Sequence, residues 1–251
     1  MKTILTADNI SKTYGENQVL KDINISLGAG ELVSILGVSG VGKTTLFNVL
    51  SGLILPDTGR VTLKGEDVTG QTGRLSYMQQ KDLLLEHKTV LDNTALPLIL
   101  SGMKKTAARD MAADYFDQFG LHGTENKYPS QLSGGMRQRA AFLRTYLCGC
   151  PVALLDEPFS ALDTHTKRAM EEWYLGVMDE IKLSTLFITH DVDEAVLISD
   201  RIYIMSGRPA EISAKIAISE PKPRTGEFML SDVFIQYKRE ITSRISGDNN
   251  V

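Results

Sequence analysis

Short apolar runs alternate with turn-forming residues over the first 30 positions of the chain, as at Ile4 and Leu5. This pattern predicts antiparallel strands joined by turns. Residues 31–36 (ELVSIL) then form an apolar run that stops at a glycine-rich loop, which is typical of a buried strand. A helix is predicted over residues 43–50, and further strands are predicted at residues 61–63 and 75–78.

The middle of the chain has helical periodicity instead. Met111, Tyr115 and Phe119 recur at a spacing of four, which predicts an amphipathic helix over residues 106–119 that ends at Gly120. A second apolar face of this kind consists of Met136, Ala140, Leu143 and Leu147.

Strands return in the last part of the chain, and helices separate them. We predict strands at residues 152–155, 185–189 and 201–205, with helices near residues 164–182 and 191–199. Strands that alternate with helices indicate an α/β fold with a mostly parallel sheet covered on both faces. A helix over residues 234–241 is expected to pack on this core.

Composition limits the classes of function. The formal net charge of the 251 residues is -4, so no basic field favours nucleic acid as a partner. No run approaches the roughly 18 apolar residues that a membrane span needs. The N-terminus does not resemble a signal peptide, because polar residues interrupt its apolar stretch. The two cysteines, Cys148 and Cys150, are too few for a zinc site. We therefore expect a protein that is soluble in isolation.

A glycine-rich loop follows the strand at residues 31–36. Its sequence, GVSGVGKT, matches G-x-x-x-x-G-K-[ST] and leads into the predicted helix. Its three glycines, at positions 37, 40 and 42, let backbone N–H groups approach a phosphate closely. The helix N-terminus adds partial positive charge, Lys43 adds a full charge, and the hydroxyl of Thr44 suits Mg²⁺.

Two carboxylates follow the apolar strand at residues 152–155. At the carboxyl edge of a parallel sheet such residues face the ligand crevice. Asp156 is placed to hold Mg²⁺, and Glu157 is placed to accept a proton from an attacking water or to orient it. A phosphate loop together with an acidic strand end could belong to a small-molecule kinase, a GTPase or a helicase.

A third motif separates the possible families. Residues 132–139, LSGGMRQR, place Ser133 and two glycines at the start of a helix, which forms a second anion site of the same kind. This segment resembles the LSGGQ signature of ATP-binding cassette (ABC) proteins, with Met136 at the variable fifth place. The resemblance covers residues 3–210.

The resemblance implies a fold and its divisions. The fold is that of a P-loop NTPase with a mostly parallel sheet, an N-terminal antiparallel β subdomain and an inserted α-helical subdomain. One ATPase domain spans residues 1–212, the helical subdomain spans about residues 81–149, and residues 213–251 form a short C-terminal tail.

The resemblance also assigns roles to residues. Glu157, His190 and Gln79 are the catalytic set, and Gln79 is preferred to Gln80 because Tyr-Met-Gln fits the usual spacing of the family. Mg²⁺ is held by Thr44, Gln79 and Asp156. ATP is held by a ring that stacks on adenine, by the two anion sites and by the loop that joins two subunits. The ring is that of Tyr14, and the joining loop contributes Asp163. The anion sites consist of Gly37, Val38, Ser39, Gly40, Val41, Gly42, Lys43, Thr44 and Thr45 in the first and Ser133, Gly134 and Gly135 in the second.

Partners follow from the same resemblance. Two copies face each other head to tail, so that each ATP lies between the phosphate loop of one and the signature of the other. The pair acts at the cytoplasmic face of the membrane on an integral-membrane permease. An extracytoplasmic solute-binding protein delivers the solute to that permease. The expected activity is hydrolysis of ATP to ADP and phosphate, coupled to transport.

Residues 83–98 resemble the nitrate/sulfonate/taurine group of bacterial importers, relatives of which handle pyrimidine precursors of thiamin. Here Glu86 and His87 replace the usual Pro-Trp of that group, and Thr94 replaces a valine. Three alternatives stay open: a cassette of the export or cell-division type, a P-loop kinase that acts on a small molecule, and a module that binds ATP without hydrolysing it. The signature and His190 argue against the kinase, and the presence of both Glu157 and His190 argues against the module.

Overall fold

The computed structural model describes residues 2–222, 224 and 226–247. The strands in these residues are β1 Thr3–Tyr14, β2 Asn17–Gly28, β3 Leu32–Leu36, β4 Thr58–Leu63, β5 Glu66–Asp67, β6 Ser76–Met78, β7 Val152–Asp156, β8 Ser184–Thr189, β9 Arg201–Ser206 and β10 Glu211–Ala217. The α-helices are α1 Lys43–Leu50, α2 Val90–Thr94, α3 Leu96–Leu100, α4 Lys105–Ala113, α5 Gly134–Tyr146, α6 Thr164–Ile181, α7 Val192–Ile198 and α8 Asp232–Gly247.

The larger sheet has six strands in the order β10-β9-β3-β8-β7-β6. All neighbours are parallel except β10, which runs antiparallel to β9. Every residue of β3, β7 and β8 is buried, which explains why these strands are continuous apolar runs in the sequence. The prediction of a mostly parallel α/β sheet is confirmed, and the carboxyl ends of β3, β7 and β8 share one edge.

The N-terminal sheet is antiparallel, as predicted. Its order is β2-β1-β4-β5, and β1 pairs with both β2 and β4. Leu5 and Ala7 of β1 are buried at period two, together with Ile23 and Ile25 of β2. The buried faces of these strands pack with α1 and with one face of the larger sheet.

Between β6 and β7 the chain is helical, but the predicted helix over 106–119 is too long. α4 ends at Ala113. The N–H groups of Tyr115 and Phe116 then donate to carbonyls three residues earlier, not four as in an α-helix. Phe119 packs against the rings of Phe142 and Trp173, so aromatic packing replaces helix continuation. Met111, expected on the buried face, is 42% exposed. That a separate subdomain spans residues 81–149 stays a prediction.

The C-terminal part packs on the larger sheet. β10 crosses position 212, where the tail was expected to begin, and extends the sheet by one strand. The predicted helix over 234–241 lies within α8, whose Phe234 and Ile241 are buried against the side chains of α7 and β9. Across the described residues, none of the helices is both long and apolar enough to cross a membrane.

Candidate functional site

The loop between β3 and α1 has a backbone that requires glycine. Gly40 and Gly42 have φ values of +79° and +116°, which side chains other than glycine rarely adopt. A Cβ atom on Gly37 would lie 2.4 Å from the carbonyl oxygen of Met205. The loop therefore keeps its path only with glycine at these positions.

The start of α1 is open to an anion. No side chain caps its first turn, so amide groups there lack a side-chain partner. Val38, Ser39, Gly40 and Thr44 are exposed, Gly42 and Thr45 are half-buried, and Val41 packs into the core. Uncapped amides at a helix N-terminus form a site for phosphate.

Lys43 is folded back onto this loop. Its Nζ donates to the carbonyl oxygen of Gly37 at 2.8 Å and to that of Val38 at 3.1 Å, and the residue is only 5% exposed. Burial lowers the pKa of Lys43, while Glu157 and Asp156 oppose the shift. The ammonium group thus lies at the loop, with carbonyl partners that a phosphate could replace.

Thr44 and Asp156 form a pair of oxygen ligands at the end of β7. The Oγ1 of Thr44 donates to Oδ2 of Asp156 at 3.1 Å, and the hydroxyl of Tyr77 donates to the same oxygen at 3.3 Å. Burial raises the pKa of Asp156 above its ordinary value, although both hydrogen bonds favour the charged carboxylate.

These two residues fit Mg²⁺. The described residues contain no group of three or more His, Cys, Asp or Glu side chains that could hold a metal ion by themselves. Mg²⁺ does not need such a group, because it prefers oxygen and is commonly held by one or two protein ligands together with phosphates and water. A hydroxyl and a carboxylate beside a phosphate loop meet that need.

Glu157 lies next to Asp156 and has an unusual backbone. Its φ is +45°, in the left-handed region that a glutamate seldom adopts, and its N–H donates to the carbonyl of Ile188 on β8 at 3.0 Å. Nδ1 of His190 lies 3.1 Å from Oε2 of Glu157. Two residues predicted to be catalytic are therefore in direct contact.

Gln80 also contacts Glu157. The prediction that Gln79 belongs to the catalytic set is not supported by the geometry. Nε2 of Gln80 donates to Oε2 of Glu157 at 3.3 Å and to Oγ of Ser160 at 3.2 Å. Gln79 is exposed, and its side chain forms no hydrogen bond to any residue within the described ranges. β6 ends at Met78, so strand alternation no longer governs side-chain direction at the next two residues. The motif spacing favoured Gln79, but the contact with Glu157 is made by Gln80, the next residue.

Tyr14 ends β1 and presents its ring to solvent. The residue is 45% exposed, and Nζ of Lys12 lies 5.6 Å from the ring centroid. The ring is thus accessible for stacking, as the adenine role requires.

The signature segment begins α5 as predicted. Oγ of Ser133 accepts from the N–H of Met136 at 3.3 Å, and Ser133 is exposed. A Cβ on Gly134 would lie 3.2 Å from Leu162, and one on Gly135 would lie 3.2 Å from Thr166. The two glycines therefore allow α5 to pack closely against the start of α6.

The two predicted anion sites are separate within one chain. Within the described part of the chain, no hydrogen bond or ion pair joins residues 133–135 to residues 37–45. Asp163, predicted to bind nucleotide, caps α6 through Oδ1, which accepts from the N–H groups of His165 and Thr166. Hydrogen bonds from Thr166 and His165 lower the pKa of Asp163. Its role toward nucleotide stays a prediction.

Comparison with known proteins identifies relatives that contain the same type of domain. The family model described as "ABC transporter" matches residues 20–160. The formylaminopyrimidine import ATP-binding protein ThiZ of Halalkalibacterium halodurans is 42% identical over 210 residues, which are 83% of this chain and 82% of that protein. The nitrate import ATP-binding protein NrtD of Synechocystis sp. is 37% identical over 239 residues, 93% of this chain and 90% of that protein.

A solved structure agrees in fold. The dimeric ATP-binding cassette MJ0796, in a post-hydrolysis state bound to ADP and Pi, superposes with a TM-score of 0.74 at 28% identity. The match covers 87% of this chain and all of that one.

Proposed function

The chain belongs to the ABC transporter family and is an ATPase of the ATP-binding cassette type, and on this premise we propose that it drives uptake of a small solute through a separate permease. The observation that carries the ATPase site is the contact of Glu157 with both His190 and Gln80 beside the phosphate loop. In the proposed reaction these groups activate the water molecule that attacks the terminal phosphate.

Each residue has a defined task in hydrolysis. Lys43 and the amides of residues 37–45 hold the phosphates, and the ring of Tyr14 stacks on adenine. Thr44 and Asp156 would hold Mg²⁺, which would neutralise phosphate charge. Glu157 accepts the proton of the attacking water, and His190 and Gln80 orient its carboxylate. In phosphoryl transfer the protein acts mainly by positioning and charge stabilisation.

A second copy of the chain completes the site. The phosphate loop and Ser133 are separate anion sites on one chain, and two copies placed head to tail bring one of each together at every ATP. The dimeric cassette MJ0796, bound to ADP and Pi, supports this arrangement. ATP then joins the two copies, and hydrolysis releases them.

Mixing two inactive variants tests the shared site. We expect Lys43→Ala and Ser133→Arg each to abolish hydrolysis, because each damages both sites of a homodimer. Their mixture should regain activity, since a heterodimer keeps one intact phosphate loop opposite one intact signature. A mixture as inactive as its components, in dimers verified by light scattering, would contradict the shared site.

The permease contact is assigned to the helical segment after β6. Leu83, Leu100 and Met111 are exposed there, and Leu100 is 78% exposed. Exposed apolar groups within one segment favour a protein partner. In the proposed assembly, the chain acts at the cytoplasmic face of the membrane through its contact with the permease.

The solute belongs either to the nitrate/sulfonate/taurine class or to the pyrimidine precursors of thiamin. The first class is supported by residues 83–98 and by the likeness to NrtD, and the second by the likeness to ThiZ. The test is the chain reconstituted in proteoliposomes with its permease and binding protein. Nitrate, taurine and formylaminopyrimidine are supplied in turn, and the solute that stimulates ATP hydrolysis is the substrate. Stimulation by none of the three would contradict both classes.

A further inference from the structure

A cluster of four ionisable side chains joins α6 to α7. Nζ of Lys167 on α6 lies 2.6 Å from Oδ2 of Asp191, 3.7 Å from Oε1 of Glu194 and 3.9 Å from Oε1 of Glu171. Asp191 and Glu194 belong to α7 or its cap, whereas Glu171 lies one turn along α6. We refer to these four residues as the Lys167 cluster.

Two members of the cluster are shielded from water, whereas the side chain of Asp191 is 37% exposed. The side chains of Glu194 and Glu171 are 4% and 8% exposed, and that of Lys167 is 22% exposed. Burial alone would lower the pKa of Lys167, but the surrounding carboxylates raise it above its ordinary value. Lys167 thus faces three acidic side chains, and its contacts with Asp191 and Glu194 join α7 to α6.

The cluster lies directly behind the predicted catalytic groups. Asp191 follows His190 in the chain and caps α7 through Oδ1, which accepts from the N–H of Asp193. A cavity of about 300 Å³ is lined by Glu157 and His190 and also by Lys167 and Glu194. The cluster and the reacting groups therefore share one space.

The proposed function rests on the position of His190, and that position depends on α7. Since the only covalent link between His190 and α7 is the residue Asp191, a movement of Asp191 moves His190 relative to Glu157. Lys167 holds Asp191 through Oδ2 while the helix cap uses Oδ1. Loss of the lysine would remove the ion pair that ties Asp191 to α6 and would leave Glu171 and Glu194 buried without the cation that they face, so the contact between α7 and α6 would weaken.

We propose that Lys167 is a positioning residue for ATP hydrolysis, which sets the distance between His190 and Glu157 by holding α7 against α6. This inference rests on the proposed ATPase site. A displacement of about 1 Å in a reacting group can reduce a rate by about 100-fold, so a residue outside the contact of Glu157 and His190 can still control turnover.

The chain offers a matched control. Arg168 is the next residue of α6, and its Nε lies 3.8 Å from Oε1 of Glu172 in an exposed ion pair. Lys167→Met removes the charge and keeps the length of the side chain, and Arg168→Met makes the same kind of change outside the cluster. Lys167→Arg restores the charge.

The experiment measures kcat and KM for ATP with the full chain. Wild type and His190→Ala come first: a decrease in kcat of about 100-fold in His190→Ala, to a residual rate that can still be measured, establishes the site. Equal hydrolysis would remove the proposed function before Lys167 is considered. We then expect Lys167→Met to lower kcat about tenfold or more with KM changed less than about threefold. Lys167→Arg should recover most of the loss, and Arg168→Met should behave as wild type.

A double-mutant cycle separates positioning from general damage. With His190→Ala already present, Lys167→Met should change kcat less than about twofold, because the group that it positions is gone. An equal loss in both backgrounds, or a Lys167→Met enzyme as active as Arg168→Met, would overturn the proposal.

If Lys167→Met does not fold, as judged by circular dichroism, Asp191→Asn takes its place in the same cycle. The amide oxygen of asparagine keeps the helix cap while its neutral side chain loses the ion pair with Lys167. The same outcomes decide the proposal.

Discussion

Oε2 of Glu157 lies 3.1 Å from Nδ1 of His190. The two residues directly follow the buried strands β7 and β8, which are parallel neighbours with Asp156 paired to Ile188. The N–H of Glu157 bonds to the carbonyl of Ile188, so the backbone of one strand holds the end of the other. This arrangement places a carboxylate and an imidazole in contact at the sheet edge that also contains the phosphate loop.

Glu157→Gln should bind ATP and hydrolyse it very slowly. The amide is nearly isosteric but is not a base, so we expect turnover to fall by about 100-fold or more. Because ATP persists, the variant should shift from monomer to dimer with ATP and Mg²⁺ in size-exclusion chromatography with light scattering. Glu172→Gln, at an exposed position of α6, is the control. Near-normal hydrolysis by Glu157→Gln would mean that another group accepts the proton.

Gln80→Ala should reduce hydrolysis, whereas Gln79→Ala should leave it close to wild type. Of the two glutamines, Gln80 is the one that donates to Glu157, and its loss removes one of the contacts that orient the carboxylate. We expect a decrease in kcat of about tenfold for Gln80→Ala alone. Steady-state ATPase assays of the two variants side by side decide the matter. A larger loss in Gln79→Ala would restore the assignment made from motif spacing.

Lys43→Ala should abolish tight ATP binding. The lysine supplies the positive charge of the phosphate loop, and no neighbouring side chain replaces it. We expect the affinity for ATP, measured by calorimetry, to fall by about 100-fold or more, on the order of 3 kcal/mol. Lys127→Ala, an exposed lysine of the helical segment, serves as control. Unchanged affinity in Lys43→Ala would remove the phosphate-loop assignment.

The stability of the chain should fall as pH rises from about 5 to 8. Burial raises the folded-state pKa of Glu194 to about 8 and that of Glu171 to about 7, from ordinary values of 4.5. In this window the folded chain binds more protons than the unfolded chain, so the free energy of unfolding decreases with pH.

Glu194→Gln tests this dependence. The neutral amide has no proton to lose, so we expect the variant to gain about 1–2 kcal/mol relative to wild type between pH 6 and 8. Urea unfolding at both pH values measures the change, with Glu172→Gln as control. A variant whose stability changes with pH as steeply as that of wild type would contradict the assignment of the proton to Glu194.

The predictions that the structure bears out concern local patterns. The strand at residues 31–36, the glycine loop and α1 follow each other as predicted, because the strand is wholly apolar and the loop requires glycine conformations. The sheet and its buried strands follow from the alternation of apolar runs and helices. Family membership followed from three short motifs.

Tertiary packing decided the rest. The helix predicted over 106–119 ends at Ala113, because the rings beyond it pack against α5 and α6. Gln79 was preferred to Gln80 on spacing, but only the end of β6 and the position of Glu157 select between adjacent glutamines.

The sequence by itself determined the strand, loop and helix that form the phosphate loop and the alternation of buried strands with helices, since apolar runs and backbone conformations within a few residues govern these. Only the tertiary structure decided which side chains meet across elements: Gln80 with Glu157, Tyr77 with Asp156, and Lys167 with Asp191. Such contacts join residues far apart in the chain, and a shift of one residue or a small rotation of a helix replaces one partner by another.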